Sequence, residues 1–94
     1  MGIFRSKEQI LRSAIKKHYE TLFFKFAVPR CQHITDEKQR NLQYFNESQS
    51  AVIKACRQVA HDKRIYIEPD DALFDFYWSI ACRKLGIDKE NWFR

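Results

Sequence analysis

Two short spacings in this 94-residue chain bring a thiol near an imidazole: Cys31-Gln32-His33, and Cys56 with His61. Together they could supply four ligands to a metal, with Cys82 left over. Structural zinc sites favour two close pairs, typically Cys-x2–4-Cys with His-x3–5-His, and the spacings here match neither. Cys56 also falls on the apolar seam of a helix, where a buried thiol behaves as a small hydrophobe. No metal and no cofactor is expected. As a nucleophile, Cys31 has Arg30 and His33 beside it, which would lower its pKa if they cluster. No glycine-rich turn or oxyanion element accompanies it. Asp70, Asp71 and Asp75 crowd the start of a helix, which is the ordinary place for acids. The chain is therefore read as a non-enzyme, with no catalytic residue.

Charge points to binding instead. The net charge is +5, and residues 1–34 carry seven basic residues against two acidic ones. Residues 69–94 carry four against five. Arg12, Lys16, Lys17 and Lys25 could line one face of the first helix and contact phosphates, giving salt-dependent binding. The ordinary alternative is a solvated polar face.

The aromatic residues weigh more. Of eight Phe, four Tyr and two Trp, six crowd into two short segments near the end of the chain, Leu73-Phe-Asp-Phe-Tyr-Trp78 and Asn91-Trp-Phe-Arg94. On a helix, Leu73, Phe76, Tyr77 and Ile80 share one side, while Phe74, Trp78 and Cys82 share another. A domain this small buries only about 60–65% of its unfolded surface, so both sides cannot be hidden at once. Large exposed apolar patches mark interaction surfaces, and buried interface anchors favour Trp and Tyr. Phe74, Tyr77, Trp78, Trp92 and Phe93 are the expected partner-binding residues. A homodimer through the same surface is an open alternative.

The elements that must position these groups follow from periodicity. Ser6-Lys7-Glu8-Gln9 fits a capping box. Ile10, Leu11, Ala14, Ile15, Tyr19, Leu22, Phe23 and Phe26 then recur at helical spacing, and Pro29 is expected to end this helix, at about 7–27. Thr35 is expected to cap a second helix, about 36–61, whose seam is Leu42, Phe45, Gln49, Val52, Cys56 and Val59. At 1.5 Å per residue it would be about 40 Å long, so it either kinks or projects. Arg64-Ile-Tyr-Ile-Glu68 reads as a short extended piece. Pro69-Asp70-Asp71 opens a third helix, about 70–85, and Gly86 is its C-cap. Glu68–Pro69 is a candidate cis/trans switch, set against an ordinary trans proline at a helix start. The expectation is one all-α domain, a three-helix arrangement with an aromatic C-terminal tail.

No run reaches the roughly 18 apolar residues of a membrane span. Met1 to Arg12 lacks the apolar core of a signal peptide. Met1-Gly2 with Ser6 only loosely fits a myristoylation site. Three widely spaced cysteines suit a reducing cytoplasm better than a disulfide framework.

A short, basic, helical, glycine-poor chain without a catalytic motif resembles the small early proteins with which lambdoid bacteriophages redirect host machinery. More narrowly, with Glu68–Pro69 as the matching proline, it is similar to the phage anti-RecBCD proteins that bind the RecC subunit. The resemblance implies a protein partner, a host RecBCD-like helicase–nuclease, together with a prolyl isomerase acting at that proline. It also implies a location in the cytoplasm of the host bacterium and a protein that modulates or inhibits DNA processing without chemistry of its own. The competing expectations are a nucleic-acid-binding module built on the first helix and a regulatory homodimer.

Overall fold

The computed structural model describes residues 7–93, so the Ser6 cap and the Met1-Gly2 site lie outside the described residues. The chain forms α1 (Lys7–Glu20), a π-helical segment (Thr21–Ala27), α2 (Val28–Cys31), α3 (Glu37–Lys63) and α4 (Asp71–Leu85). The first three are one continuous rod, so the architecture is three helices, with no strand among the described residues. The molecule measures 49 × 24 × 24 Å. No helix is long and apolar enough to cross a membrane among the described residues.

The rod buries a narrower stripe than periodicity suggests. Leu11, Ile15, Tyr19, Phe23 and Ala27 are inside, at steps of four, whereas Ile10 and Phe26 are exposed. The π turn has a local cause. Phe23 is fully buried, and its neighbour Phe24 also packs on the core. The wider turn of a π-helix brings adjacent residues closer to one face. Both rings then surround Tyr19, with Phe23 stacked on it at 5.5 Å and Phe24 edge-on at 6.2 Å. The π turn also explains why Pro29 does not stop the helix. Val28 donates its N–H to the Phe23 carbonyl five residues back, and Pro29 falls in the first turn of α2, where a missing N–H costs nothing. The rod therefore runs one turn past the expected end, to Cys31.

α3 is a single unbroken α-helix through Lys63. Asp36, not Thr35, is its N-cap, with its carboxylate accepting from the Lys38 N–H at 3.2 Å. Its buried face is Asn41, Tyr44, Ser48, Ala51, Val52, Ala55, Cys56 and Val59. The expected seam is thus rotated: Leu42 is exposed and Gln49 only half-buried. Small residues at 48, 51 and 55 let a wide face approach its neighbours, which a seam read from large residues alone does not anticipate. α3 ends at Arg64, in the left-handed conformation with φ 58°.

Both the rod and α4 pack on α3. α1 and α4 meet each other only through long side chains. Tyr19 lies 4.5 Å from the Tyr77 ring, and its hydroxyl donates to the Tyr77 carbonyl at 3.3 Å while sitting 2.7 Å from Ser48 Oγ. Tyr19 is fully buried, and this burial, opposed by the Ser48 hydrogen bond, pushes its pKa well above the usual tyrosine value. One phenol hydroxyl thus ties three helices together at the centre of the core.

Residues 65–70 have no regular structure. The Glu68–Pro69 bond is trans. Pro69 precedes the helix rather than occupying its first turn, because Asp70 is the N-cap, accepting from the Leu73 N–H at 2.8 Å. Gly86 caps the other end at φ 70°, as expected, its N–H donating to the Cys82 carbonyl.

Candidate functional site

The five expected anchor residues do not share a surface. Tyr77 and Trp78 are 3% and 4% exposed and belong to the core, so they are not available as anchors in the folded chain. Tyr77 is covered by Tyr19 of α1, and Trp78 by the tail. After Gly86 the chain turns back, and Asp88 organises one turn. Its carboxylate accepts from the Asn91 side chain at 2.9 Å and the Glu90 N–H at 3.1 Å, and these bonds hold it below the usual carboxylate range. Lys89 fastens the turn to α4, reaching Asp75 at 2.8 Å and Ser79 at 2.7 Å. Trp92 is thereby laid over Phe45 at 5.2 Å and Trp78 at 5.4 Å. The aromatic tail closes the molecule's own core, which hides much of the expected aromatic excess. Phe74 and Trp92 are half-buried, and Phe93 is exposed. The buried Trp78 Nε1–H finds no acceptor among the described residues, a loss of about 1–3 kcal/mol for such a group.

Exposed large apolar side chains lie elsewhere: Ile10, Phe26, Leu42, Ile65, Tyr66 and Phe76, besides Phe93. Phe76 is half exposed at the mouth of a groove between α1 and α4. The groove exists because these two helices are held apart by the Tyr19–Tyr77 contact, and nothing of similar size fills the space nearer their N-termini. Leu73, Phe76 and Tyr77 line one wall, Arg12, Ser13 and Lys16 the other, and Asp70 the end, around a cavity of about 370 Å³. An apolar floor inside a polar rim is the anatomy of a protein-binding surface.

The expected basic face is also divided. Arg12 and Lys16 rim the apolar groove. Lys17, one residue on, turns away to a second groove, between α1 and α3. Lys25, on the π segment, lies 5.6 Å from the Phe26 ring centroid and lines neither. The second groove holds about 760 Å³ and sets Lys17 and His18 opposite Lys54, Arg57 and His61. The α3 residues of this set were not among the expected site residues. Nothing in the linear spacing shows that they meet Lys17.

The three thiols take no part in either groove. Cys31, Cys56 and Cys82 are buried and free. Burial pushes all three pKa values up, Cys82 to about 11. At Cys31 the Glu47 carboxylate adds to the rise and Arg30 only opposes it, so Arg30 does not activate this thiol. Arg30 is instead engaged with Glu47 at 3.0 Å. His33 and His61 are exposed, whereas Cys31 and Cys56 are buried. Compared with family models, curated proteins and solved structures, the chain matches none.

Proposed function

We propose that this chain is a non-enzymatic binding protein that docks on a larger protein through the α1–α4 groove and modulates it. The observation that supports this reading is the half-exposed Phe76 ring over an apolar floor, with Arg12, Lys16 and Asp70 around the rim. Aromatic anchors surrounded by polar groups that exclude water carry most of the energy of protein interfaces. Phe76 stands edge-on to Tyr77 at 5.2 Å, so the exposed ring is braced by the core. Such an anchor loses little conformational freedom when a partner closes over it. The thiols, buried with raised pKa values, are poor nucleophiles.

The partner class follows from the resemblance stated above: a bacterial helicase–nuclease of the RecBCD type, bound and modulated during phage growth. The test is binding of the purified chain to a purified helicase–nuclease of that type, by biolayer interferometry. The expected result is a saturable complex that Phe76→Glu weakens at least thirtyfold, with the helical circular dichroism of the variant unchanged. A complex of unaltered affinity would remove the groove from the interface, and the absence of any complex would remove this partner. A dimeric mass in sedimentation that Phe76→Glu converts to a monomer would assign the groove to a second copy of the chain instead.

A further inference from the structure

The groove between α1 and α3 is a separate feature with the opposite character. Its floor includes Leu22, and its walls carry Lys17 and His18 on one side and Lys54, Arg57 and His61 on the other. The acid that faces it is Asp62, at one end. Asp62 accepts from Gln58 at 3.0 Å and sits 3.6 Å from His18 and 3.4 Å from His61. Of the other acids on the rod and α3, Glu20 pairs with Lys84 at 3.7 Å and Glu47 with Arg30 at 3.0 Å. Lys17, Lys54 and Arg57 have no ion pair among the described residues and are exposed to solvent.

Unpaired like charges gathered along one groove raise its positive potential, which draws an anionic partner to it. Positions 54, 57 and 61 follow at steps of one helical turn and run about 10 Å along α3, the axial length of about three phosphates on one strand of a duplex. Lys17 faces this row from the other helix. Lys17 on one wall and Lys54 and Arg57 on the other suit a chain of phosphates, which can lie along the groove and be contacted from both sides. We infer that the α1–α3 groove binds the phosphate backbone of nucleic acid, without reading its sequence, through Lys17, Lys54 and Arg57. It lies apart from the groove assigned to a protein partner, and a chain with both could hold a protein and nucleic acid together.

The test is fluorescence anisotropy of the full chain with a labelled duplex and a labelled single strand of mixed sequence, across a salt titration. Three phosphate contacts predict a fall of log affinity with log salt of slope about −2 to −3, and little dependence on sequence. Lys54→Glu with Arg57→Glu is expected to weaken binding at least tenfold at low salt. Lys38→Glu with Arg83→Glu, which changes the net charge equally on other surfaces, is expected to leave it within about threefold. Circular dichroism confirms that both variants fold. The inference is overturned by three results: no binding to either probe at low salt, equal losses in the two double variants, or binding to phosphatidylserine-containing vesicles in place of nucleic acid.

Discussion

The two grooves beside α1 are separated by less than one turn of helix, yet they are built differently. On the α4 side, Tyr19 and Tyr77 prop two helices apart, and the space left over is walled by Leu73 and Tyr77 with Phe76 at its mouth. On the α3 side, Lys17, Lys54 and Arg57 face each other around a groove that reaches solvent. Lys16 belongs to the first and Lys17 to the second. A single step along the rod, about 100° around its axis, thus divides a basic cluster between an apolar surface and a cationic one. What a charged residue does here depends on which helix faces it.

The strongest way to break the comparison is to remove what both grooves share. Trp78→Ala takes a nearly buried ring from between Phe45 and Trp92. It should cost about 3–5 kcal/mol of stability in guanidinium unfolding, and both binding activities should fall together. Phe76→Ala sharpens the contrast. The ring is half exposed, so stability should change by less than about 1 kcal/mol, while partner affinity should fall by about 2 kcal/mol or more in calorimetry. Nucleic-acid affinity should not move.

Alkaline titration separates the core from both grooves. Burial raises Cys82 from 9.0 to about 11 and Tyr77 from 10.0 to about 12. A raised acid binds its proton more tightly in the folded state than in the unfolded one. Its contribution is therefore complete below the unfolded value and is lost as pH rises through the folded one. Stability should be level up to about pH 9 and fall from there to about pH 12, by at most about 1.4 kcal/mol per pH unit for each group, as followed by denaturant midpoints. Asp70→Ala is a smaller perturbation. It removes the cap that receives the Leu73 N–H at the end of the apolar groove, and should cost about 1 kcal/mol.

Much of the fold was legible in the sequence because strong local signals agreed. The Gly86 cap and the apolar spacing of the first helix each pointed to helices close to the observed bounds. Where the reading missed, a longer-range effect decided. Pro29 looked like a stop, but the π turn around Phe23 and Phe24 carried the helix past it. The seam of α3 was read from Leu42 and Gln49, whereas Ser48, Ala51 and Ala55 sit at the close contacts because they are small. Trp78 and Tyr77 looked like anchors for a partner because the return of Trp92 over Trp78 and the contact of Tyr19 with Tyr77 are tertiary events that no spacing announces. Phe76 shares a helical side with Leu73 and Tyr77, and that signal was available. What was missing was that the tail closes over the other side of α4 and leaves this one open. The α1–α3 groove was less legible still, since half of its charge lies some 40 residues away on another helix.

Different ligands for the two grooves are tested directly by one comparison. The wild-type chain, Phe76→Glu and Lys54→Glu/Arg57→Glu would each be used to capture the purified helicase–nuclease after nuclease treatment. The prediction is that the wild type and the charge-reversed variant retain the complex with similar stoichiometry while Phe76→Glu loses it. Loss of the complex in the charge-reversed variant with retention in Phe76→Glu would contradict the assignment of both grooves.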